Sequence, residues 1–162
     1  MSALLMILSV VLVVSTLTGS TNNYYNEPTG NKEITDCSIT KKFGELNNAS
    51  IIPVPLKRGE KSYWKGLLKI KRMIHWGIVH LTMTHNFKNY TNITFLDEKF
   101  NLCDYLDDII KKYCPVHPRI YDVNASATMS KLLWPGQYNA RITAYNEKGE
   151  QIMCLMKEIT IN

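Results

Sequence analysis

All-β, an antiparallel sandwich of about seven or eight short strands with one short helix, is the fold class that this 162-residue chain predicts. Three observations carry the prediction. Several runs alternate apolar and polar residues with period two, the pattern of half-buried strands. Clusters of Gly, Pro, Asn and Asp separate those runs at short spacing. Four cysteines follow an apolar leader, which places the chain in an oxidising compartment where disulfides staple small β-domains.

The leader comes first. Ala3 to Val14 is a near-unbroken apolar run, followed by small residues at Ser15, Thr16, Thr18, Gly19 and Ser20. It is shorter than the roughly 20 apolar residues that a bilayer span needs. An apolar run followed by small residues reads as a secretory signal peptide over residues 1–20. No Lys or Arg precedes the run, so an uncleaved anchor is the competing reading. Residues 21–162 then form one domain, long enough to bury a core unaided. The net charge of +5 is a mild excess without a basic patch interleaved with stacking aromatics, so nucleic acid is not expected as a partner.

Asn23 to Glu33 is polar, holds Pro28 and Gly30, and reads as a loose arm. Ile34 to Ile39 carries Cys37 and reads as a first strand. Ile51 to Val54 is a short apolar piece interrupted by Pro53, which suits a sheet edge. Ser62 to Lys71 alternates, with Tyr63, Lys65, Leu67, Lys69 and Lys71 on one face and Trp64, Gly66, Leu68 and Ile70 on the other. Ile78 to Thr84 sets Val79, Leu81 and Met83 opposite His80 and Thr82. Asn92 to Phe95 sets Ile93 and Phe95 inward and Asn92 outward.

Leu102, Tyr105, Leu106, Ile109, Ile110 and Tyr113 then recur at helical spacing. Asp104 near the start of this segment and Lys111 and Lys112 near its end match the helix dipole. Tyr121 to Met129 returns to period two, with Tyr121, Val123, Ala125, Ala127 and Met129 on one face. Trp134-Pro-Gly136 is a turn. After it Tyr138, Ala140, Ile142 and Ala144 give the cleanest alternation in the chain. Asn146 to Gly149 reads as a hairpin loop. Gln151 to Ile161 has apolar residues on both faces. Either it is a central strand covered on both sides, or a bulge near Lys157 shifts its pattern.

Cys37, Cys103, Cys114 and Cys154 allow three pairings. Cys103–Cys114, closing a local loop around the helix, and Cys37–Cys154, tying the first strand to the last, are the expected pair. Cys114-Pro-Val-His117 raises a zinc site as the rival, but no second close pair exists and thiols in this compartment oxidise. Sequons at Asn48, Asn89, Asn92 and Asn124 are possible glycan acceptors. In the strands of Asn92 and Asn124 the alternation points both outward, in agreement with that role.

Catalytic constellations are missing from the pattern. His75, His80 and His85 repeat every five residues, which alternates faces on a strand and does not converge on a metal. There is no Gly-x-Ser-x-Gly, no His beside a free thiol and no convincing carboxylate pair. Neither an enzyme nor a cofactor or metal is expected.

Phe100-Asn-Leu-Cys103-Asp-Tyr-Leu106, Tyr113-Cys-Pro-Val116, Trp134-Pro-Gly-Gln-Tyr138 and Gly149-Glu-Gln-Ile-Met-Cys154-Leu155, in this order and spacing, resemble the ML-type lipid-recognition domains. The subgroup they look most like is the fungal and protist phosphatidylglycerol/phosphatidylinositol transfer proteins. Gly59 before the Tyr63 strand and Ile74-His-Trp-Gly77 before the next are compatible, and the resemblance covers roughly Cys37 to Ile161. Two departures stand out. The further early disulfide of sterol-carrying relatives is missing, and Asn101 stands where the phospholipid subgroup typically has Asp.

The resemblance implies an immunoglobulin-like sandwich whose two sheets splay apart around a lipid's hydrocarbon part, with binding and no catalysis. On that basis the cavity would be lined by Leu68 (or Leu67), Val79, Leu81, Met83, Ile93, Phe95, Val123, Tyr138, Ala140, Ile142 and Leu155. Trp76 and Trp134, with His75, Pro135 and Lys69, would form its mouth or touch a membrane. Lys57 to Arg72 holds seven basic residues and one acid. It would attract anionic lipid surfaces, although outward lysines also block edge pairing. The expected function is a secreted or lysosome/vacuole-lumenal monomer that binds a phospholipid or sterol and transfers it between membranes. The alternative is a lipid-sensing or protein-interaction module without transfer.

Overall fold

A computed structural model describes residues 34–39, 43–87 and 90–162. The leader, the arm Asn23–Glu33 and the Asn89 sequon lie outside the described residues. The elements run β1 (Thr35–Asp36), β2 (Gly44–Ile52), β3 (Lys61–Ile70), β4 (Gly77–Phe87), β5 (Tyr90–Asn101), α1 (Leu102–Ile110), β6 (Arg119–Thr128), β7 (Gly136–Asn146) and β8 (Gln151–Ile161). Two sheets form, one ordered β1-β8-β7-β4-β5 and one ordered β2-β3-β6. Every strand pair in them is antiparallel. The predicted all-β sandwich with one short helix is the fold observed.

The three-stranded sheet follows the alternation closely. On β3, Leu68 and Ile70 are buried while Tyr63, Lys65 and Lys69 face water. On β6, Ala125 and Ala127 are buried and Asn124 is exposed. β2 is an edge strand, as expected, but it is longer than the predicted Ile51–Val54: it begins at Gly44 and ends at Ile52, before Pro53. Its first half was hidden because Asn47 and Asn48 interrupt the apolar pattern. A bulge sits there, between Asn47 and Ser50, with Asn48 at φ 51°.

In the five-stranded sheet the predicted Ile34–Ile39 strand is the two-residue β1, set opposite Met156 and Leu155 and followed by a hydrogen bond from the Cys37 N–H to the Cys154 carbonyl. Ile93 and Phe95 are not covered by the core as expected, although Ile93 stands opposite the buried His85. The register steps from Thr84↔Thr94 to Met83↔Leu96, so Phe95 is the extra residue of a bulge and Leu96 takes the buried position. Ile93 lies near the end of edge strand β5, and both residues stay over two-fifths exposed. For β8 the question of its two apolar faces is answered by position. It lies between β1 and β7, and Cys154, on its outer face, is fully buried where Cys37 is bonded to it. The register shift of this pair is at the other end of β8, beside Ile152, and not near Lys157.

Helix α1 is shorter than its apolar spacing suggested. Its C-cap is Lys111, whose left-handed backbone (φ 55°) ends the helix, so Lys112 and the exposed Tyr113 lie beyond it. Leu102, Cys103, Leu106 and Ile110 form its buried face. That face packs beside β4, β5 and β6 and closes one side of the sandwich. The bonds Cys103–Cys114 and Cys37–Cys154 are both formed.

The interior divides along the strand direction into two packed clusters. One gathers Leu68, Ile70, Val79, Leu102 and Leu106 around the helix. The other gathers Leu81, Met83, Leu96, Met129 and Tyr138 at the opposite end.

Candidate functional site

A cavity of about 130 Å³ lies between the sheets. The three-stranded sheet contributes Leu46, Ala49, Trp64, Leu68, Val123 and Ala125 to its wall. Facing them on β4 and β7 are Val79, Ala140, Ile142 and Ala144, and on β8 Met153, Leu155 and Ile159. Leu102, Tyr105, Leu106 and Ile109 of α1 close the far side. Four alanines in the wall leave the space that larger side chains would fill. Strand pleat explains the set: Ile142 stands opposite Leu155 in the β7–β8 register, and Val79 opposite Ala144 in β4–β7.

The wall is largely apolar, with Lys65 and Lys157 as its charged members among the described residues. The Trp64 indole N–H donates to Ser62 Oγ at 3.3 Å, and that hydroxyl donates to the Ala127 carbonyl at 3.0 Å. Burial, with a smaller contribution from the Asp108 carboxylate, pushes the Tyr105 hydroxyl up to about 12, so it carries no charge near neutral pH. No acidic residue lines the cavity among the described residues. The exposed lining residues are Ser50 on β2, Lys65 beside it on β3 and Met156 on β8, which places the opening along the seam between edge strand β2 and strand β8.

Such a cavity has about the volume of an engineered void that accepts benzene, and is smaller than the ~300–1,000 Å³ of drug-sized pockets. An acyl chain therefore enters only if the walls move apart. The seam suits that motion. Flexible Met153 and Met156 stand along it, and β2 makes few contacts with β8.

Six of the eleven residues expected to line the cavity do so: Leu68, Val79, Val123, Ala140, Ile142 and Leu155. Leu81, Met83 and Tyr138 also point inward, but they belong to the solid cluster at the other end. Ile93, opposite the buried His85, and Phe95, whose ring meets the edge of the Tyr138 ring at 5.7 Å, lie at the open edge of the sheet, more than two-fifths exposed and away from the cavity. The expected mouth is corrected. Trp76 precedes β4 and Trp134 precedes β7, and because those strands are antiparallel the two indoles sit at opposite ends of the sandwich, roughly 30 Å apart at ~3.4 Å per residue. Both are about half exposed, and neither they nor Lys69 line the cavity.

Trp134 instead joins an aromatic cluster. It packs at 5.5 Å from Phe87, and its carbonyl accepts a 2.8 Å hydrogen bond from the Tyr138 hydroxyl. His85 stacks on Tyr138 at 4.3 Å and is buried, with Nδ1 3.0 Å from the Gln137 carbonyl. His80 is on the other face beside Asp97.

The lining residues absent from the expected set include those of β2 and α1, and also Trp64, Ala144, Ile159 and Lys157. For the helix the signal was present: its apolar stripe had to face something, and only the space between the sheets was available.

A family model described as "ML domain" matches residues 31–161. A phosphatidylglycerol/phosphatidylinositol transfer protein of Schizosaccharomyces pombe is 29% identical over 73 residues, which is 45% of this chain and 39% of that protein. One of the same description from Kluyveromyces lactis is 24% identical over 134 residues, 80% of this chain and 75% of that protein. The match thus spans about two fifths of the first relative and three quarters of the second. Among solved structures, a Niemann-Pick type C2 protein from Japanese carpenter ant aligns with a TM-score of 0.59 at 14% identity, over 81% of this chain and all of that one. Chicken MD-1, complexed with lipid IVa, aligns with a TM-score of 0.55 at 13% identity, over 78% and 87%. These two likenesses show a shared fold.

Proposed function

The chain belongs to the ML-domain family, and from that premise we propose that it is a secreted lipid-binding protein that holds a phospholipid or sterol between its sheets and carries it between membranes. The observation that carries this reading is the cavity itself, lined mainly by apolar side chains between the two sheets. Each methylene moved from water into such a wall gains about 0.8 kcal/mol, so a carrier lowers the cost of passage through water without any covalent step. The fungal relatives named for phosphatidylglycerol/phosphatidylinositol transfer support a phospholipid as cargo.

Export through the secretory pathway, to the outside or to a lysosome-like lumen, fits the pairing of all four cysteines. It also fits the exposure of Asn48, Asn92 and Asn124, which makes each an accessible glycan acceptor. Among the described residues no helix is long and apolar enough to cross a membrane.

Native mass spectrometry with lipid extraction, on protein secreted from a eukaryotic host, tests the reading. A stoichiometric lipid that exchanges between donor and acceptor vesicles is the expected result. Protein that stays lipid-free after incubation with mixed liposomes would overturn lipid carriage. A bound lipid that never exchanges would favour a sensing module over a carrier.

A further inference from the structure

We propose that N-linked glycans on Asn48, Asn92 and Asn124 guard the edges of the two sheets, and that the one on Asn124 keeps β6 from pairing with a second copy of this chain. The inference rests on export through the secretory pathway and is independent of lipid carriage.

Topology places the sequons. Among the described residues β2 and β6 end the three-stranded sheet, and β1 and β5 end the other. The described sequons fall on β2, β5 and β6, one to each strand, and all three asparagines are exposed. None falls on the interior strands β3, β4, β7 and β8. The remaining end strand, β1, is two residues long, and Cys37 just after it is bonded to Cys154 on the neighbouring strand. An end strand presents its outer backbone N–H and C=O groups to any extended chain, and short length, bulges, charges and proline are the usual protections. A glycan is bulky and hydrated. A strand docking ~4.8 Å away has to enter the space that the glycan sweeps.

The three edges differ in what else protects them. Asn48 lies in the bulge between Asn47 and Ser50, and Asn92 lies where the β4–β5 register shifts between His85 and Phe87. Both have left-handed backbone, with φ of 51° and 56°, a region that Asn adopts more readily than most residues. Those two asparagines thus serve the backbone as well, and the bulges bend their edges.

β6 has no such device. It pairs with β3 at ten successive positions, from Arg119↔Ile70 to Thr128↔Lys61, without a shift. Its charges, Arg119 and Asp122, are in its first half, where Tyr121 and Val123 also join the cluster around α1. The second half, Asn124-Ala-Ser-Ala-Thr128, holds no charge and no proline. The sequon stands at the start of this regular, uncharged stretch. Val123 and Ala125 line the cavity, so Asn124 between them points to the outer face, and a glycan there leaves the cavity free. Ser126, which completes the sequon, is buried in the fold; acceptors are modified as the chain enters the lumen, before the sheet closes. Two copies joined through β6 in the antiparallel sense satisfy each other across a two-fold axis, which gives a closed dimer.

The test is the mass in solution of the full-length chain secreted from a eukaryotic host. Every protein compared carries N89Q, which removes the sequon outside the described residues. Glycopeptide mass spectrometry reads site occupancy, and light scattering on a size-exclusion column reads mass. The N89Q parent is expected to carry a glycan on Asn124 and to be a monomer. N124Q is expected to move toward twice the monomer mass as its concentration rises. N124K, which has no glycan there but sets a lysine on the same edge, is expected to stay monomeric. S50A and T94A, each removing one of the other sequons, should associate much less than N124Q, because the bulges remain. An unoccupied Asn124 in the parent, a dimeric parent or a monomeric N124Q overturns the proposal. So does association of N124K, because the edge would then not be what pairs. Equal association of S50A, T94A and N124Q also overturns it, because the glycans would then act as general solubilisers. Lipid uptake, expected to be equal in N124Q and the parent, keeps this result separate from the lipid-carrying reading.

Discussion

The side chain of Asn101 accepts a 2.8 Å hydrogen bond from the backbone N–H of Cys103, capping α1 at the point where β5 turns directly into the helix. The cap holds Cys103 in place for its bond to Cys114 and sets the angle at which Leu102 and Leu106 enter the cavity wall. Asn and Asp are comparable caps, while Ala leaves the helix amide unpaired. N101D should therefore keep wild-type stability. N101A should cost about 1 kcal/mol in urea unfolding. Equal midpoints for N101A and wild type would show that the cap contributes nothing.

The other end of α1 carries a mild electrostatic conflict. Partial burial, with Asp107 and Asp104 adding to it against the opposing pull of Lys111, raises the carboxyl of Asp108 above its usual 3.8. A carboxylate in the last turn also faces the negative end of the helix dipole. A raised folded-state value means that this group's favourable contribution is complete below its unfolded value and is lost as pH rises through the folded one. D108N should then stabilise the protein at pH 7, by about 0.3 kcal/mol once solvent screening is allowed for. The gain should vanish below the carboxyl's usual 3.8. Thermal melts of both proteins across that range check the sign, and a D108N advantage that persists in acid would contradict it.

The two disulfides constrain loops of very different length. Cys37–Cys154 spans 117 residues and Cys103–Cys114 spans 11. Loop-closure entropy assigns about 5 kcal/mol to the first and about 3 kcal/mol to the second. The double Ser variant of the long bridge should lose more stability in urea than that of the short one. It should also exchange lipid faster, because the long bridge tethers the segment from which Ile34 reaches the cavity. Equal losses would mean that local strain, and not chain entropy, governs both.

Periodicity reveals which face of a strand points inward but not what it meets there. Val79, Leu81 and Met83 alternate identically, yet Val79 lines the cavity while the other two are locked in solid packing. β3, β6 and β7 were legible because one face is buried along most of their length. β2 was obscured by a bulge carrying two asparagines, and the position of Phe95 by a second bulge that no local pattern announces. The separation of Trp76 from Trp134 depends on antiparallel pairing of strands some sixty residues apart in sequence, information that a strand-by-strand reading lacks. Lys157 was visible as an irregularity in the last strand. Only the register shows that it is an inward lysine and not a slip of the pleat.

Ala140 offers the most direct separation of cavity from core. It lines the cavity, stands opposite Lys157, and is only partly buried, so a larger side chain there grows into open space. In a close-packed core a change from Ala to Leu forces neighbours off their rotamers and costs ~1–3 kcal/mol. In a void the added methylenes gain contacts instead. A140L should therefore melt at or above the wild-type temperature while taking up much less lipid from vesicles, because its side chain fills volume the acyl chain needs. A127L is the contrasting substitution: Ala127 on β6 is fully buried and does not line the cavity, so overpacking there should lower the melting temperature. If A140L is as destabilised as A127L, the space beside Ala140 is closed in solution and the cavity is not where lipid is held.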